Sequence, residues 1–238
     1  MVGSDTMVSS AALEQFKESL QMAEELIKIE KRIYKDPPPR EEQKAVTGLR
    51  GGAAVLIVAS WENFLRLLVE EELTNLSMHT PKVLFKNLPI DMQLHNVIKT
   101  LESATKGPNK KERLPDIEQA CQFVINGTIN PIVFIDTKSN PNSKAVTEMF
   151  KNLGIPNIFV RTKEDFERRS KKKVPDRFIE DKLDEIINRR HVVAHEADAL
   201  RISRLDLNES IKFMKILAQV FEKFIQRHIK NIIKNKIT

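Results

Sequence analysis

A short stretch near the C-terminal end of the chain, RRHVVAHEAD at 189–198, concentrates residue types that can do chemistry. His191 and His195 stand four positions apart, so a helix would place both imidazoles on one face, as in zinc-ligand pairs. Helical zinc proteases need Glu directly after the first histidine or directly before the second. Val192 and Ala194 occupy those positions, and no third histidine or cysteine follows nearby. The pattern therefore argues against a metal site.

The same stretch contains a second unit, in which Arg190 is followed after four residues by His195. This step rotates by about 140° on an ideal helix, yet a long arginine side chain can still converge on the histidine. An imidazole, with a reference pKa of about 6.5, can take or give a proton at neutral pH. A permanently charged guanidinium can hold a phosphate and stabilise a pentavalent transition state. The pair therefore has the chemistry for RNA cleavage by the 2'-hydroxyl group, without a metal.

A structural interpretation of these residues competes with the catalytic one. In this interpretation, Arg189 and Arg190 form ion pairs with Glu185 or Asp184 on a helix surface. His195 caps the helix or packs against neighbouring side chains. Arg-x4-His is a short pattern that many proteins contain by chance. Spacing alone therefore favours the structural interpretation.

Two long amphipathic helices are predicted in the first third of the chain. Apolar residues recur at three- and four-residue steps over 11–35, and the DPPP sequence at 36–39 then stops the helix. A second helix is predicted over 41–76, with Trp61 on the stripe that faces the core. The glycine pair at 51–52 predicts the close approach of a neighbouring backbone, or a weak kink.

The middle of the chain, 77–175, consists of shorter segments rich in proline. Helices are predicted over 94–101, over 115–124 and over a capped stretch that Gly154 terminates. Two short apolar runs, IVFI at 132–135 and IFV at 158–160, are predicted to be strands or buried loops. Periodicity cannot separate these alternatives in so few residues.

Two more long helices are predicted to close the chain. Pro175 is expected in the first turn of the helix that carries the 189–198 motif. Asp206 and Glu209 are expected to form a capping box for the last helix, with Asp206 as the N-cap. An apolar stripe from Ile211 to Ile232 then continues for about seven turns.

The pattern as a whole predicts an all-α fold. We expect an antiparallel bundle of four long helices with an irregular, partly helical insertion at 77–175. One domain is expected over 11–238, behind a flexible N-terminal tail at 1–10.

Composition narrows the setting in which the protein works. The single Cys121 excludes an internal disulfide framework and fits a reducing compartment. The N-terminus has no basic and apolar signal segment, and the apolar run at 53–61 is too short to span a membrane. We therefore predict a soluble, cytoplasmic protein that does not bind a membrane.

The formal net charge of +6 permits an anionic partner such as nucleic acid. The densest basic run comprises Arg168, Arg169, Lys171, Lys172 and Lys173, shortly before the motif helix. It is expected either to guide the phosphate backbone of a nucleic acid or to form a solvated loop.

These features resemble the HEPN superfamily (higher eukaryote and prokaryote nucleotide-binding). The RHVVAH sequence at 190–195 is similar to the Arg-x4-His motif of that superfamily, with His191 in its polar position. LIVASWENFLRLLVEEEL resembles the HEPN helix that carries an aromatic-Glu pair, here Trp61 and Glu62. KSNPNSKAVTEMFKNLGI is similar to the corresponding stretch of RiboL-PSP-type HEPN proteins. The resemblance extends over about 11–233 of the chain.

The resemblance implies a metal-independent endoribonuclease that works as a homodimer, with two motifs lining one cleft. It implies Arg190 and His195 as catalytic residues, with His191, Arg189 and Glu62 as supporting candidates. Glu62 either orients one of the two arginines or forms a structural ion pair, and it should be at least partly buried after Trp61.

Because the resemblance implies an endoribonuclease, RNA is the expected substrate. Such proteins commonly act as toxins or in defence against phage, so an antitoxin or regulatory protein is a candidate partner. No cofactor is expected. Some members of the superfamily are not catalytic, so a HEPN module that binds a partner protein or nucleic acid is the alternative.

Overall fold

The computed structural model describes residues 9–106, 110–135, 140–196 and 202–235; for 110, 112, 191, 192 and 194–196 it describes the backbone alone. The described chain is helical and, over those ranges, contains no β-strand. Its helices are α1 (Ala11–Ile33), α2 (Gln43–Met78), α3 (Ile90–Ala104), α4 (Lys110–Ile125), α5 (Ser143–Asn152), α6 (Ile158–Ser170), α7 (Phe178–Glu196) and α8 (Arg204–Lys234). Short 3-10 helices cover Arg40–Glu42, Phe85–Asn87 and Pro131–Phe134. The predicted all-α class is confirmed.

The chain forms two compact units. Unit 1 comprises Met1–Leu68 and Glu185–Glu222, and unit 2 comprises Val69–Asp184 and Lys223–Thr238. The predicted insertion at 77–175 falls in unit 2. The assignment of 11–238 to one domain stays a prediction.

An aromatic cluster forms the centre of unit 1. The ring of Phe16 on α1 lies 6.4 Å from Trp61 and 5.0 Å from Phe64, both on α2. Phe221 on α8 lies 5.8 Å from Trp61. All these rings are buried, and Trp61 is fully inaccessible to solvent. The stripes expected from the sequence therefore meet, and burial of such large side chains dominates the stability of this core.

Polar contacts at the two ends of unit 1 establish the helix directions. Ser10, the N-cap of α1, donates its backbone N–H and its hydroxyl to Glu222 in the second half of α8. Glu30 near the end of α1 instead contacts Arg204 at the start of α8 and Arg50 early in α2. Helix α1 therefore runs antiparallel to both α2 and α8.

A buried ion network connects these helix ends. Arg50 is 4% exposed and donates hydrogen bonds to the carboxylates of Glu30 and Asp36. Its Nη1 group donates to the carbonyl oxygen of Ile202. Glu30 is 1% exposed and also contacts Arg204. Burial lowers the pKa of Arg50, but its hydrogen bonds to Asp36 and Glu30 outweigh burial and raise the pKa overall.

The glycine pair of α2 lies where α1 packs closely. A Cβ atom at Gly52 would lie 3.2 Å from Cδ1 of Leu26 on α1. The close approach at Gly52 is therefore made by a neighbouring side chain and not by a neighbouring backbone.

In unit 2, both short apolar runs turn out to be helical. The run at 132–135 lies largely in the 3-10 helix Pro131–Phe134, and 158–160 is the first turn of α6. The expectation of strands or loops is therefore wrong for both. The helix expected before Gly154 is confirmed as α5, which Asn142 caps by accepting the N–H of Ala145.

Two predicted helix starts are displaced. Pro175 precedes α7, which begins at Phe178, so it is not in the first turn. Helix α8 begins at Arg204, and Ser203 and Asp206 form its reciprocal capping box: Ser203 donates to Asp206, whose backbone N–H donates back to the Ser203 hydroxyl. Asp206 is therefore the acidic member of the box and not the N-cap.

The helical stretch Arg40–Met78 is, among the described residues, long and apolar enough by length and composition to cross a membrane. Within its most apolar window, 56% of the residues are buried inside the protein. The core helix of a soluble protein passes the same test, so this property is weak evidence of a span.

Candidate active site

The motif occupies the last two turns of α7. Apolar residues at helical spacing, Ile179, Leu183, Ile186 and Ile187, are all buried and hold one face of the helix in the core. Arg189 and Arg190 follow directly on this helix. Because neighbouring residues differ by about 100° around a helix axis, the two arginines leave it in different directions.

Arg190 faces Glu62. Its Nη1 atom lies 3.7 Å from Oε2 of Glu62, and each side chain is 30% exposed. Glu62 follows the fully buried Trp61, so the aromatic cluster fixes the helix turn that presents the carboxylate. The predicted partial burial of Glu62 is confirmed, and of the two arginines named for it, Arg190 is the one paired here. A pair of this length and exposure is weak, so a phosphate can compete with the carboxylate for the guanidinium.

Arg189 is held by several partners. Its Nη1 donates to the carbonyl oxygen of Asp206 at 3.0 Å and to the hydroxyl of Ser210 at 2.8 Å. Its Nη2 contacts the carboxylates of Glu185 and Asp206. The side chain is only 14% exposed. Arg189 thus fastens α7 to the first turns of α8, which is a structural position for a residue predicted to support catalysis.

The sequence pointed to only part of this arrangement. The sequence predicts Glu185 as an arginine partner, and its contact with Arg189 confirms this. Asp184 was the other expected partner, but it accepts the backbone N–H and hydroxyl of Ser143. Asp206 and Ser210 were missed, because they lie 17 and 21 residues beyond Arg189 and no local pattern connects them.

The two motif histidines follow the arginines on the same helical backbone. The side chains of His191 and His195 lie outside the described residues, as does all of Ala197 and Asp198. Helical geometry advances the chain by about 7.5 Å from Arg190 to His195. The roles assigned to both histidines stay predictions.

The basic run spans the end of α6 and the segment after it, within unit 2. Arg168 and Arg169 belong to the last turn of α6, and Lys171 ends the helix in the left-handed conformation with φ 55°. Arg168 pairs with Asp165 one turn earlier. The expectation of a loop is therefore wrong for the two arginines, which are helical.

Lys173 and Glu167 close the segment onto α6. Nζ of Lys173 lies 2.6 Å from Oε2 of Glu167, whose other oxygen accepts the N–H of Val174 at 3.0 Å. These hydrogen bonds, that from Lys173 first, lower the pKa of Glu167, and the same contact raises the pKa of Lys173. The turn holds Lys171 and Lys172 on the surface, where both are exposed.

The RiboL-PSP-HEPN family model matches this sequence over residues 17–227, which includes Glu62, the basic run and the whole Arg-x4-His motif. The chain belongs to the RiboL-PSP-HEPN family. No curated protein matches this HEPN chain, and no solved structure does.

Within the described part of this HEPN protein, no three side chains of His, Cys, Asp or Glu come together in a group that could hold a metal ion. The histidine side chains of the motif are outside that set. Glu62 and Arg190 form the part of the candidate site whose geometry the structure gives, and a guanidinium beside a carboxylate can bind an anion without a metal.

Proposed function

We propose that this HEPN protein is a metal-independent endoribonuclease that cleaves RNA by attack of the 2'-hydroxyl group on the adjacent phosphate. The observation that carries the proposal is the contrast between the two neighbouring arginines. Arg189 is engaged in structural contacts, whereas Arg190 is partly exposed beside Glu62 and precedes His195 on the same helix. Such a guanidinium is held in place and still accessible to a phosphate.

In the proposed reaction, an imidazole of His195 removes the proton from the 2'-hydroxyl or delivers one to the leaving 5'-oxygen. The 2'-oxygen forms a bond to phosphorus as the bond from phosphorus to the 5'-oxygen breaks. Arg190 holds the phosphate and stabilises the charge of the pentavalent state. The products are a 2',3'-cyclic phosphate and a free 5'-hydroxyl group.

Glu62 has a positioning role in this scheme. Its carboxylate lies 3.7 Å from Arg190 and restrains the guanidinium before RNA binds. Preorganising the arginine lowers the conformational entropy lost when the phosphate is bound. His191 occupies the polar position of the motif and supports the catalytic pair.

Cleavage requires one proton to be removed and one to be delivered, and each chain carries one His195. A homodimer across α7 brings two histidines and two arginines to one cleft. Val193, which is half-buried, together with Val192 and Ala197 provides apolar residues for that interface.

The exposed Lys171 and Lys172 are proposed to attract the RNA backbone. A ribonuclease of this kind fits a cytoplasmic toxin or an effector of phage defence, with an antitoxin or regulatory protein as its partner.

The test is cleavage of mixed RNA by the purified protein in excess chelator. Cyclic-phosphate ends, and loss of cleavage in both Arg190→Ala and His195→Ala proteins with unchanged circular dichroism, are expected. Full activity of either variant would refute the assignment. A folded wild-type protein that binds RNA without cutting it would instead identify a non-catalytic HEPN module.

A further inference from the structure

Helix α3 in unit 2 turns its polar residues inward. Its buried residues are Met92, Asn96, Thr100 and Ala104. Asn96 donates to the carbonyl oxygen of Thr128 at 3.0 Å and accepts the backbone N–H of Asn130 at 2.8 Å. The core-facing side of this helix therefore includes two polar residues, Asn96 and Thr100, and the Asn96 side chain is hydrogen-bonded there.

The opposite side of α3 is aliphatic and faces solvent. Ile90 is 63% exposed, Leu94 53%, Ile98 50% and Leu101 37%. At about 100° per residue these four side chains fall within roughly 80° of one another around the helix axis. A contiguous exposed apolar strip of this kind marks an interaction surface, whereas single exposed aliphatic residues are ordinary.

Three members of the strip, together with the half-buried Val97, have the spacing of a helix–helix seam. Ile90, Leu94, Val97 and Leu101 follow one another at steps of four, three and four residues, which is the alternation of a and d positions in a heptad. Ile98 lies beside the seam. This pattern indicates that the surface receives another helix.

The spacing of the seam residues, four, three and four, is the same from either end of the helix. In an antiparallel pairing centred between positions 95 and 96, Ile90 of one copy meets Leu101 of the other, and Leu94 meets Val97. A two-fold axis requires a surface that is complementary to itself, and this pattern meets that requirement. We propose that α3 is a homotypic interface, in which α3 of a second copy of this chain packs antiparallel across a two-fold axis.

The charges of α3 permit this arrangement. Asp91 stands at the flank of the strip, and in the antiparallel pairing its two copies are separated by about 13 Å along the axis. At that distance salt screens most of their repulsion. Lys99 and Glu102 are paired within the helix, with 2.7 Å between Nζ and Oε2.

The exposed area of the strip sets the size of the proposed contact between the two α3 helices. The exposed fractions correspond to roughly 400 Å² of apolar surface per copy, about half of the roughly 800 Å² per partner in a standard interface. We therefore expect weak, transient association. It differs from the dimer across α7, and neither contact requires the other.

The test introduces one cysteine into full-length protein in which the exposed Cys121 is replaced by serine. In the antiparallel pairing the two copies of position 97 are offset by about 4.5 Å along the axis, and those of position 101 by about 16 Å. A short thiol crosslinker should therefore couple Val97→Cys chains and leave Leu101→Cys chains uncoupled.

A second substitution supplies the control. Leu94→Lys in the Val97→Cys protein should reduce coupling by about tenfold or more, because it places charge in an apolar seam. Leu205→Lys, at another exposed leucine (68%) outside unit 2, should leave coupling unchanged. The absence of coupling at Val97→Cys would overturn the proposal. Equal coupling at both positions would overturn it too, because it indicates parallel helices.

Discussion

The two adjacent arginines of the motif offer a test in which stability and activity separate. Replacing Arg189 by alanine removes the hydrogen bonds to the Asp206 carbonyl and the Ser210 hydroxyl and both carboxylate contacts of a side chain that is 14% exposed. Replacing Arg190 removes a single 3.7 Å ion pair between side chains that are 30% exposed. Arg189→Ala should therefore lower the free energy of unfolding more than Arg190→Ala.

The magnitudes follow from these contacts. A hydrogen bond to a charged group contributes about 1.5–3 kcal/mol, and such terms do not add fully, so we expect Arg189→Ala to cost about 3 kcal/mol. In a chain of this size that corresponds to a fall in Tm of roughly 6–12 °C. Exposed ion pairs contribute about 0–1 kcal/mol, so Arg190→Ala should lower Tm by no more than roughly 4 °C.

Thermal unfolding followed by circular dichroism measures these shifts, and RNA cleavage well below Tm measures activity. Arg189→Ala should retain activity at low temperature, and Arg190→Ala should have none at any temperature. Arg189→Lys is the matched control, because it keeps the charge but loses the guanidinium fork. Equal losses of Tm in the two alanine variants, or a folded but inactive Arg189→Ala protein, would refute the division of roles.

Three further predictions concern other residues. His191→Ala should slow RNA cleavage less than His195→Ala does; a slower His191 variant in a side-by-side rate measurement would reverse the two roles. Arg50→Met should cost about 3 kcal/mol in urea unfolding, because it removes hydrogen bonds between charged groups and leaves the buried Glu30 carboxylate with Arg204 as its remaining arginine partner. Lys28→Met, at a surface pair, should leave the urea midpoint unchanged, and equal midpoints for the two variants would contradict the assigned network. Burial lowers the pKa of His228, whose ring contacts the carbonyl of Leu153, so the folded protein keeps it neutral. The stability it contributes is present above the unfolded pKa of about 6.5 and is lost as pH falls towards the lowered folded value; a His228→Gln variant that loses stability just as steeply over this range would rule this out.

The long helices could be predicted because their apolar residues repeat over many turns. The stripe containing Trp61 is confirmed by its burial against Phe16 and Phe221. The run at 158–160 could not be identified, because three apolar residues do not show a period. The start of α8 was misplaced because two overlapping patterns, one beginning at Ser203 and one at Asp206, both satisfy the capping-box rule.

The candidate site was less predictable than the fold. The sequence places Arg189 and Arg190 side by side, and only the positions of Ser210 and Glu62 around α7 distinguish them. Periodicity also predicted a helix over 94–101 without indicating which side faces inward. The hydrogen bonds of Asn96 decide that, and their partners lie more than thirty residues away.

The division of unit 1 into two segments has a consequence for the order of events during synthesis. Met1–Leu68 emerges first, but the partners of its core lie in Glu185–Glu222. At common rates of translation the first segment waits roughly ten seconds for the second. During that interval Trp61 lacks Phe221, and Glu30 lacks Arg204.

An unfinished chain therefore exposes apolar surface and lacks the candidate catalytic residues. Its α2 helix exposes apolar residues that a chaperone can cover, and its Arg-x4-His motif has not yet been made. The segment that begins at Glu185 completes the core of unit 1 and also brings Arg190 and His195. A ribosome that stops before this segment releases a fragment that cannot carry out the proposed cleavage, so the chain acquires its compact core and its candidate catalytic residues in the same late step.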